Sequence, residues 1–382
     1  MSQCHLLKNG VMISPTGSTE VCCAIVANGD RQRPVFDNGY IFEEKYKKSN
    51  KDLNDFKNST KNWIDGCHAC RLDELRNGYS ARVNAETLLG SSIPLQDKGI
   101  YYATINAGNI CNLACKMCES GPSSKWGSVA KNHPNPWIPK RGLVGHDEKD
   151  QQYVIDYVLT PKLQQISFGG GEPLMNPAYL KYLDTILEKD IAKNIKFQMI
   201  TNGTFELPDV WKSALQEFKS VEIMVSLDGT FNNYNYIRTH ADFDQVITNI
   251  KKMRAIILQK QKECTFGIAY VAQALNAHKV LQDQQWLLNN MESFNLDITF
   301  MTYPSYLSFD VIKPELLEKY GLQNEIQNFT YNEKKFYEFI RFNAFWDKVN
   351  NTSLEKQNPD FFNTKYYPDI RLEYETAWLK AK

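Results

Sequence analysis

The sequence has no excess charge of either sign: 44 Lys and Arg stand against 44 Asp and Glu. A chain whose main task is gripping nucleic-acid backbone carries a positive field that draws phosphates, so this balance argues against nucleic acid as a partner. No uninterrupted apolar run approaches the ~20 residues needed to cross a bilayer. The opening residues, MSQCHLLK, lack the charged start and long apolar stretch of an export signal. Neither a membrane protein nor an exported one is expected, and a cytoplasmic location is. There is no internal repeat and no low-complexity tract. With 42% apolar and 23% charged residues the chain reads as globular rather than disordered. Its 382 residues leave room for a sizeable core and, at the usual domain size, about two to three domains.

Cysteine is what the chain has in quantity. Nine occur, at positions 4, 22, 23, 67, 70, 111, 115, 118 and 264. An odd number without an export signal does not suit a disulfide framework. Clustered thiols in a reducing compartment more often hold a metal or do redox work.

The hydrophobic pattern divides the chain. Residues 1–95 are polar, loop-like and short of periodic apolar positions, so something other than a core should hold them together. From Gly99 onward, strand patterns at 101–106, 163–168, 195–200, 221–227, 264–271 and 297–301 alternate with helical patterns at 177–189, 210–218, 243–259 and 278–291. Such alternation implies βαβ units and a parallel sheet. Six units predict a partial (β/α)6 TIM-like barrel, with its chemistry at the C-terminal ends of the strands. After Tyr303 and Pro304 the chain reads as helical and aromatic, at 336–349 and 366–378, with the aromatics as core. The expected division is a small loop-rich cluster domain at 1–95, a barrel at 96–305 and a helical C-terminal extension at 306–382.

The strongest motif follows the first of these strands: Cys111, Cys115 and Cys118, spaced Cys-x3-Cys-x2-Cys. Three thiolates so spaced can ligate three irons of a [4Fe–4S] cubane and leave the fourth iron open to a reactant. Two other readings are a buried helix face, with cysteine packing as a small hydrophobe, and part of a zinc site. Asn109 and Asn112 before the second cysteine, and Gly121-Pro122 after the third, are loop signals that count against the helix. Gly169, Gly170, Gly171 and Glu172 close the second strand, where successive glycines let backbone approach a ligand and a carboxylate can accept from an ammonium group. No Lys-Ser/Thr follows, so this is not a phosphate-binding P-loop. Asn202-Gly203 ends the third strand, and Ser226 and Asp228-Gly229 end the fourth. Arg238 offers a two-pronged donor for a carboxylate, and Asn276 follows the fifth strand.

Together these motifs resemble the radical S-adenosylmethionine (radical SAM) enzymes, over about residues 100–303. The resemblance implies that Cys111, Cys115 and Cys118 ligate a [4Fe–4S] cluster whose open iron chelates S-adenosylmethionine. It implies reductive cleavage to methionine and a 5′-deoxyadenosyl radical, with hydrogen abstraction from an unidentified peptide or small-molecule substrate and electrons from a flavodoxin- or ferredoxin-like donor. By the same resemblance Gly170, Gly171, Glu172, Asn202, Ser226, Asp228 and Arg238 bind S-adenosylmethionine. Met117 stands where many members carry an aromatic residue.

Cys4, Gly17 and Cys22 fit Cys-x12-Gly-x4-Cys, with Cys67 and Cys70 following in a Cys-x2-Cys pair. The segment 11–17 reads as a strand and turn. This spacing is similar to the half-SPASM or twitch extension, which implies an auxiliary [4Fe–4S] cluster on Cys4, Cys22, Cys67 and Cys70; here the extension precedes the barrel rather than following it. A Cys4 zinc knot would staple the segment equally, His68 is a further zinc ligand candidate, and Cys23 could replace Cys22. Arg71 and Arg82 lie on a charged run between the two cysteine groups and are candidates for substrate contact. The alternatives to a radical enzyme are a zinc-stapled inactive barrel that only binds, and a methyltransferase that uses S-adenosylmethionine intact but leaves the three-cysteine loop without a task.

Overall fold

The computed structural model describes residues 99–118, 121–133, 142–259, 263–291, 294–326 and 329–381, together with 6, 9–17, 19–20, 70, 74–75, 78 and 80–89. The expectations for Cys4, Cys22, Cys23, Cys67, His68, Arg71 and most of the 1–95 segment lie outside the described residues.

Among the described residues eight strands form one sheet in the order β2-β1-β3-β4-β5-β6-β7-β8. They are β1 Gly10–Ile13, β2 Thr19–Glu20, β3 Tyr102–Asn106, β4 Gln165–Gly169, β5 Lys196–Thr201, β6 Ser220–Ser226, β7 Cys264–Ala272 and β8 Asn295–Phe300. All neighbouring pairs are parallel except the short β1–β2 hairpin. The six strands expected from periodicity are β3 to β8. A seventh parallel strand comes from the N-terminal segment: Val11 of β1 pairs with Ala103 of β3 and Ile13 with Ile105. The turn expected at 11–17 is present, closed by Gly17 N donating to Ser14 O at 3.0 Å, with Gly17 at φ +72°.

Side-chain alternation explains how the sheet is covered. Along β6, Val221, Ile223 and Val225 are buried while Ser220, Glu222, Met224 and Ser226 are half-buried. The first set meets the connecting helices, Pro177–Glu188, Asp209–Leu215, Phe243–Leu258 and Val280–Asn290. These helices start where capping predicts: Asn176 accepts from Ala178 N at 3.1 Å before Pro177, and Asp242 accepts from Gln245 N at 2.9 Å. The opposite face carries polar residues near the strand starts, where Gln198 Nε2 donates to Glu222 Oε2 at 2.8 Å and Lys196 Nζ pairs with the same oxygen at 2.6 Å.

The C-terminal region does not stand apart from this core. Its main helix, Glu333–Asn350, buries Phe336, Phe339, Ile340, Phe342, Phe345 and Trp346, and these are continuous with Ile105, Ile166 and Val225. The aromatics here are core, as expected. Among the described residues no helix is long and apolar enough to cross a membrane.

Candidate functional site

The cysteine loop, the glycine loop, Asn202, Ser226, Asp228 and Asn276 each follow or close the C-terminal end of a strand from β3 to β7. The cysteine loop leaves β3 and is pinned by its backbone on several sides. Asn109, fully buried, accepts from Val144 N at 2.9 Å and donates to Gly142 O at 3.1 Å. Cys111 N donates to Ser124 Oγ at 3.1 Å and Ser123 Oγ donates to Leu113 O at 2.7 Å. Ala114 N and Lys116 N donate to Thr239 O and Ile237 O, at 3.2 and 2.9 Å. Trp126 Nε1 donates to Cys115 O at 2.7 Å. The loop is therefore not a helix, and the helix-face reading of the three cysteines is corrected.

The glycines of the second motif pack closely against the cysteine loop. A Cβ on Gly171 would lie 2.3 Å from Ile110 O, and one on Gly170 would lie 2.9 Å from Asn106 Cβ, both at positive φ. The glycine loop is thus seated directly on the start of the cysteine loop, and Glu172 N donates to Ile110 O at 2.7 Å. Glu172 itself is fully buried, and its carboxylate accepts from Asn202 N at 2.7 Å, Thr201 Oγ1 at 2.8 Å and Leu174 N at 3.2 Å. Burial pushes its pKa up, against the pull of those donors.

Asn202 then reaches back to the cysteines. Its Nδ2 donates to Asn112 Oδ1 at 2.9 Å and lies 3.9 Å from Cys111 Sγ, while its Oδ1 accepts from Thr204 N at 2.9 Å. Arg238 does the same from the other side. Its Nη1 lies 3.8 Å from Cys115 Sγ, and Nε and Nη2 reach Asp228 Oδ2 at 2.8 and 2.7 Å. Asp228 Oδ1 accepts from Val271 N at 2.9 Å, so the carboxylate is fully used inside the protein. Asn276, just past β7, is a buried clamp: Nδ2 donates to Asp228 O at 3.0 Å and Val271 O at 2.8 Å. Ser226 ends β6 half-buried. Arg82 is paired with Glu74 and Glu86, its Nε donating to Glu74 Oε1 at 2.9 Å and Nη1 to Glu86 Oε2 at 3.2 Å. Cys264 opens β7 half-buried, and burial pushes its thiol up to about 11.

The electrostatics of the three thiols follow from this enclosure. Burial pushes Cys111 up to about 11. Cys115 and Cys118 share a hydrogen bond, which raises the first and lowers the second. Arg238 acts to lower all three. Burial works against the guanidinium's own charge, yet Asp228 and the thiols outweigh it and hold its pKa above the ordinary value. A cation fixed beside buried thiols favours the deprotonated form that a metal centre requires.

Do these residues fit a cluster? The donors are soft thiols, suited to iron–sulfur or zinc. A cubane takes each thiolate on a separate iron. The Tyr234 hydroxyl, which feels the charges of Cys115 and Arg238, is buried without a partner among the described residues, as are Asn233 Oδ1 on the same helix, Phe231–Ile237, and both amide atoms of Gln273 just past β7. Orphaned buried polar atoms of this kind are what a site for a polar ligand presents. The residues fit.

Sequence reasoning missed several participants. Lys116 lies between two of the cysteines and is fully buried; its position inside the motif was the available signal. Burial pushes its ammonium down to about 7, opposed by Asp347. Asp347, Tyr234 and Gln273 carried no signal at all.

Residues 105–271 match the family model of the Radical SAM superfamily. The match runs from β3 into β7 and takes in the cysteine loop, the glycine loop, Asn202, Asp228 and Arg238. The chain carries a radical SAM domain. No curated protein matches it. Among solved structures it is similar to native anSMEcpe with bound AdoMet, at 17% identity over 65% of this chain and 61% of that one, with a TM-score of 0.36. It is also similar to Streptococcus suis SuiB bound to S-adenosylmethionine, at 15% identity over 85% of this chain and 67% of that one, with a TM-score of 0.34. SuiB bound to the precursor peptide SuiA gives 14% identity, 85% and 65% coverage and a TM-score of 0.34. The matched part spans less than two thirds of the anSMEcpe chain.

Proposed function

We propose that this protein is a radical SAM enzyme in which Cys111, Cys115 and Cys118 hold a [4Fe–4S] cluster at the mouth of a partial barrel. Bound there, the cluster would supply one electron to cleave S-adenosylmethionine, and the resulting 5′-deoxyadenosyl radical would take a hydrogen atom from a peptide or small metabolite. The observation that carries this reading is the three-thiol loop inside the Radical SAM match, with Arg238 Nη1 3.8 Å from Cys115 Sγ.

The remaining roles belong to the chain's own groups. Arg238, oriented by Asp228, offsets thiolate charge and limits its cost in a buried place. Asn202 Nδ2 faces Cys111 Sγ and holds Asn112, so the β5 end and the cysteine loop keep one geometry. Glu172 fixes the β5 end by accepting from Thr201 and Asn202. Gly170, Gly171, Glu172, Asn202, Ser226, Asp228 and Arg238 together form the proposed wall toward S-adenosylmethionine, with the unpaired Tyr234 hydroxyl near Arg238 and Asp228. A flavodoxin- or ferredoxin-like donor and a cytoplasmic location belong to the same proposal.

An auxiliary [4Fe–4S] cluster on Cys4, Cys22, Cys67 and Cys70 is proposed as well. It is supported by their spacing and by Cys70 being a buried free thiol. Anoxic reconstitution tests both clusters. The reading expects about eight irons per chain at four per cubane, falling to about four in Cys111→Ala/Cys115→Ala/Cys118→Ala. Zinc as the only stoichiometric metal would support the inactive-barrel alternative instead.

A further inference from the structure

The cysteine loop is anchored to the C-terminal region through one buried cation. Lys116, between two of the proposed ligands, is fully buried and its Nζ reaches the Glu333–Asn350 helix. There Nζ donates to Asn343 Oδ1 at 3.0 Å, lies 3.6 Å from Asp347 Oδ1, and sits over the Tyr236 ring 3.4 Å from its centroid. Both charged side chains are 0% exposed. Asp347 is braced in turn: Thr352 Oγ1, Leu354 N and the Tyr374 hydroxyl each donate to it at 2.6 Å. A second tie runs beside the first. Trp126, which donates to Cys115 O, stacks on Trp346 at 4.2 Å between centroids, and Trp346 Nε1 donates to Thr239 Oγ1 at 3.0 Å. Thr239 O is the acceptor for Ala114 N.

A buried ion pair is weak evidence for stability, because desolvation offsets most of its Coulomb gain. What it supplies is geometry: a buried ammonium is held wherever its acceptors are fixed, and these acceptors lie on a helix with three further braces. We propose that Lys116 is a positioning residue, and that the Lys116–Asp347–Asn343 contact makes the C-terminal region a working part of the cluster site by holding the cysteine loop in its ligating shape. The inference rests on the cluster reading above.

The test uses the full chain, reconstituted anoxically, with two readouts: the rate at which a chelator strips iron, and the reduction midpoint potential followed by EPR. Lys116→Met keeps the bulk and removes the contact. Lys116→Met/Asp347→Asn also removes the carboxylate's stranded charge and so separates loop positioning from stability. Lys335→Met, which breaks the Lys335–Asp310 pair (2.7 Å) elsewhere, is the stability control. Both Lys116 variants are expected to take up iron, lose it about tenfold faster than the parent, as outer-shell changes commonly do, and shift in potential; Lys335→Met should match the parent. The double variant is expected to regain melting temperature without regaining iron retention. Parent-like stripping and potential in both Lys116 variants would overturn the proposal, as would iron loss that only follows melting temperature across all three. If Lys116→Met does not fold, Asn343→Leu, which leaves the charges paired, carries the same readouts. A parent chain that takes up no iron would instead defeat the cluster reading, which separates the two failures.

Discussion

Asp228 shows how much one carboxylate does here. It takes two nitrogens of Arg238 on one oxygen and Val271 N on the other, with no exposure to solvent. Asp228→Asn would leave a guanidinium buried beside Cys115 without its carboxylate partner. Removing one partner of such a pair is expected to cost about 3–5 kcal/mol, read as a lower urea midpoint with unchanged m-value. A midpoint within error of the parent would mean that solvent reaches Arg238 after all. Exposed pairs such as Lys252–Glu206 should show no such sensitivity. At this scale the sequence placed Glu172, Asp228 and Arg238 by type and position at the strand ends, but it did not name the protein groups that hold them: Thr201 and Asn202 for Glu172, and Val271 and Arg238 for Asp228. A motif fixes where a side chain leaves the backbone, whereas its partner comes from another strand end.

Between elements, the close contact of the glycine loop with the cysteine loop is the controlling feature. Gly171→Ala would place a methyl group 2.3 Å from Ile110 O at a φ of +56°. The change should cost about 1–3 kcal/mol in backbone strain and reduce the iron bound on reconstitution, checked by urea titration and iron analysis. Gly142→Ala, where an added Cβ meets nothing within 4 Å, is the matched control and should leave both unchanged. Equal effects of the two would remove the seating argument. The strands and helices themselves were legible because apolar spacing is local: the helix expected at 177–189 is Pro177–Glu188 and that at 243–259 is Phe243–Leu258. The parallel pairing of Gly10–Ile13 with β3 was not legible, because its partner lies some ninety residues on and a four-residue apolar run names no neighbour. The contact of Lys116 with Asn343, 227 residues apart, was hidden for the same reason.

Across the whole molecule, one core joins the sheet to the C-terminal helices, so a disturbance at either should be felt by global unfolding. His278 supplies a pH handle on this. Burial, with Lys279 adding to it and Asp360 opposing, pushes its pKa down to about 4 from an ordinary 6.5. The neutral form is therefore the folded one. Its contribution is fully present above pH 6.5 and is lost as pH falls toward 4, because the unfolded chain binds the proton first. The shift corresponds to about 3 kcal/mol. Urea unfolding at a series of pH values should show that loss in the parent and a shallower fall in His278→Phe; identical slopes would contradict it. His146, lowered by burial and held between Tyr182 and Ser14, adds in the same direction.

The most direct test of the central claim is an anoxic incubation of the reconstituted chain with S-adenosylmethionine and dithionite, measuring 5′-deoxyadenosine by mass. The account predicts its formation by the parent and none above background by Cys111→Ala/Cys115→Ala/Cys118→Ala. Equal yields from the two proteins, or none from an iron-replete parent, would contradict it.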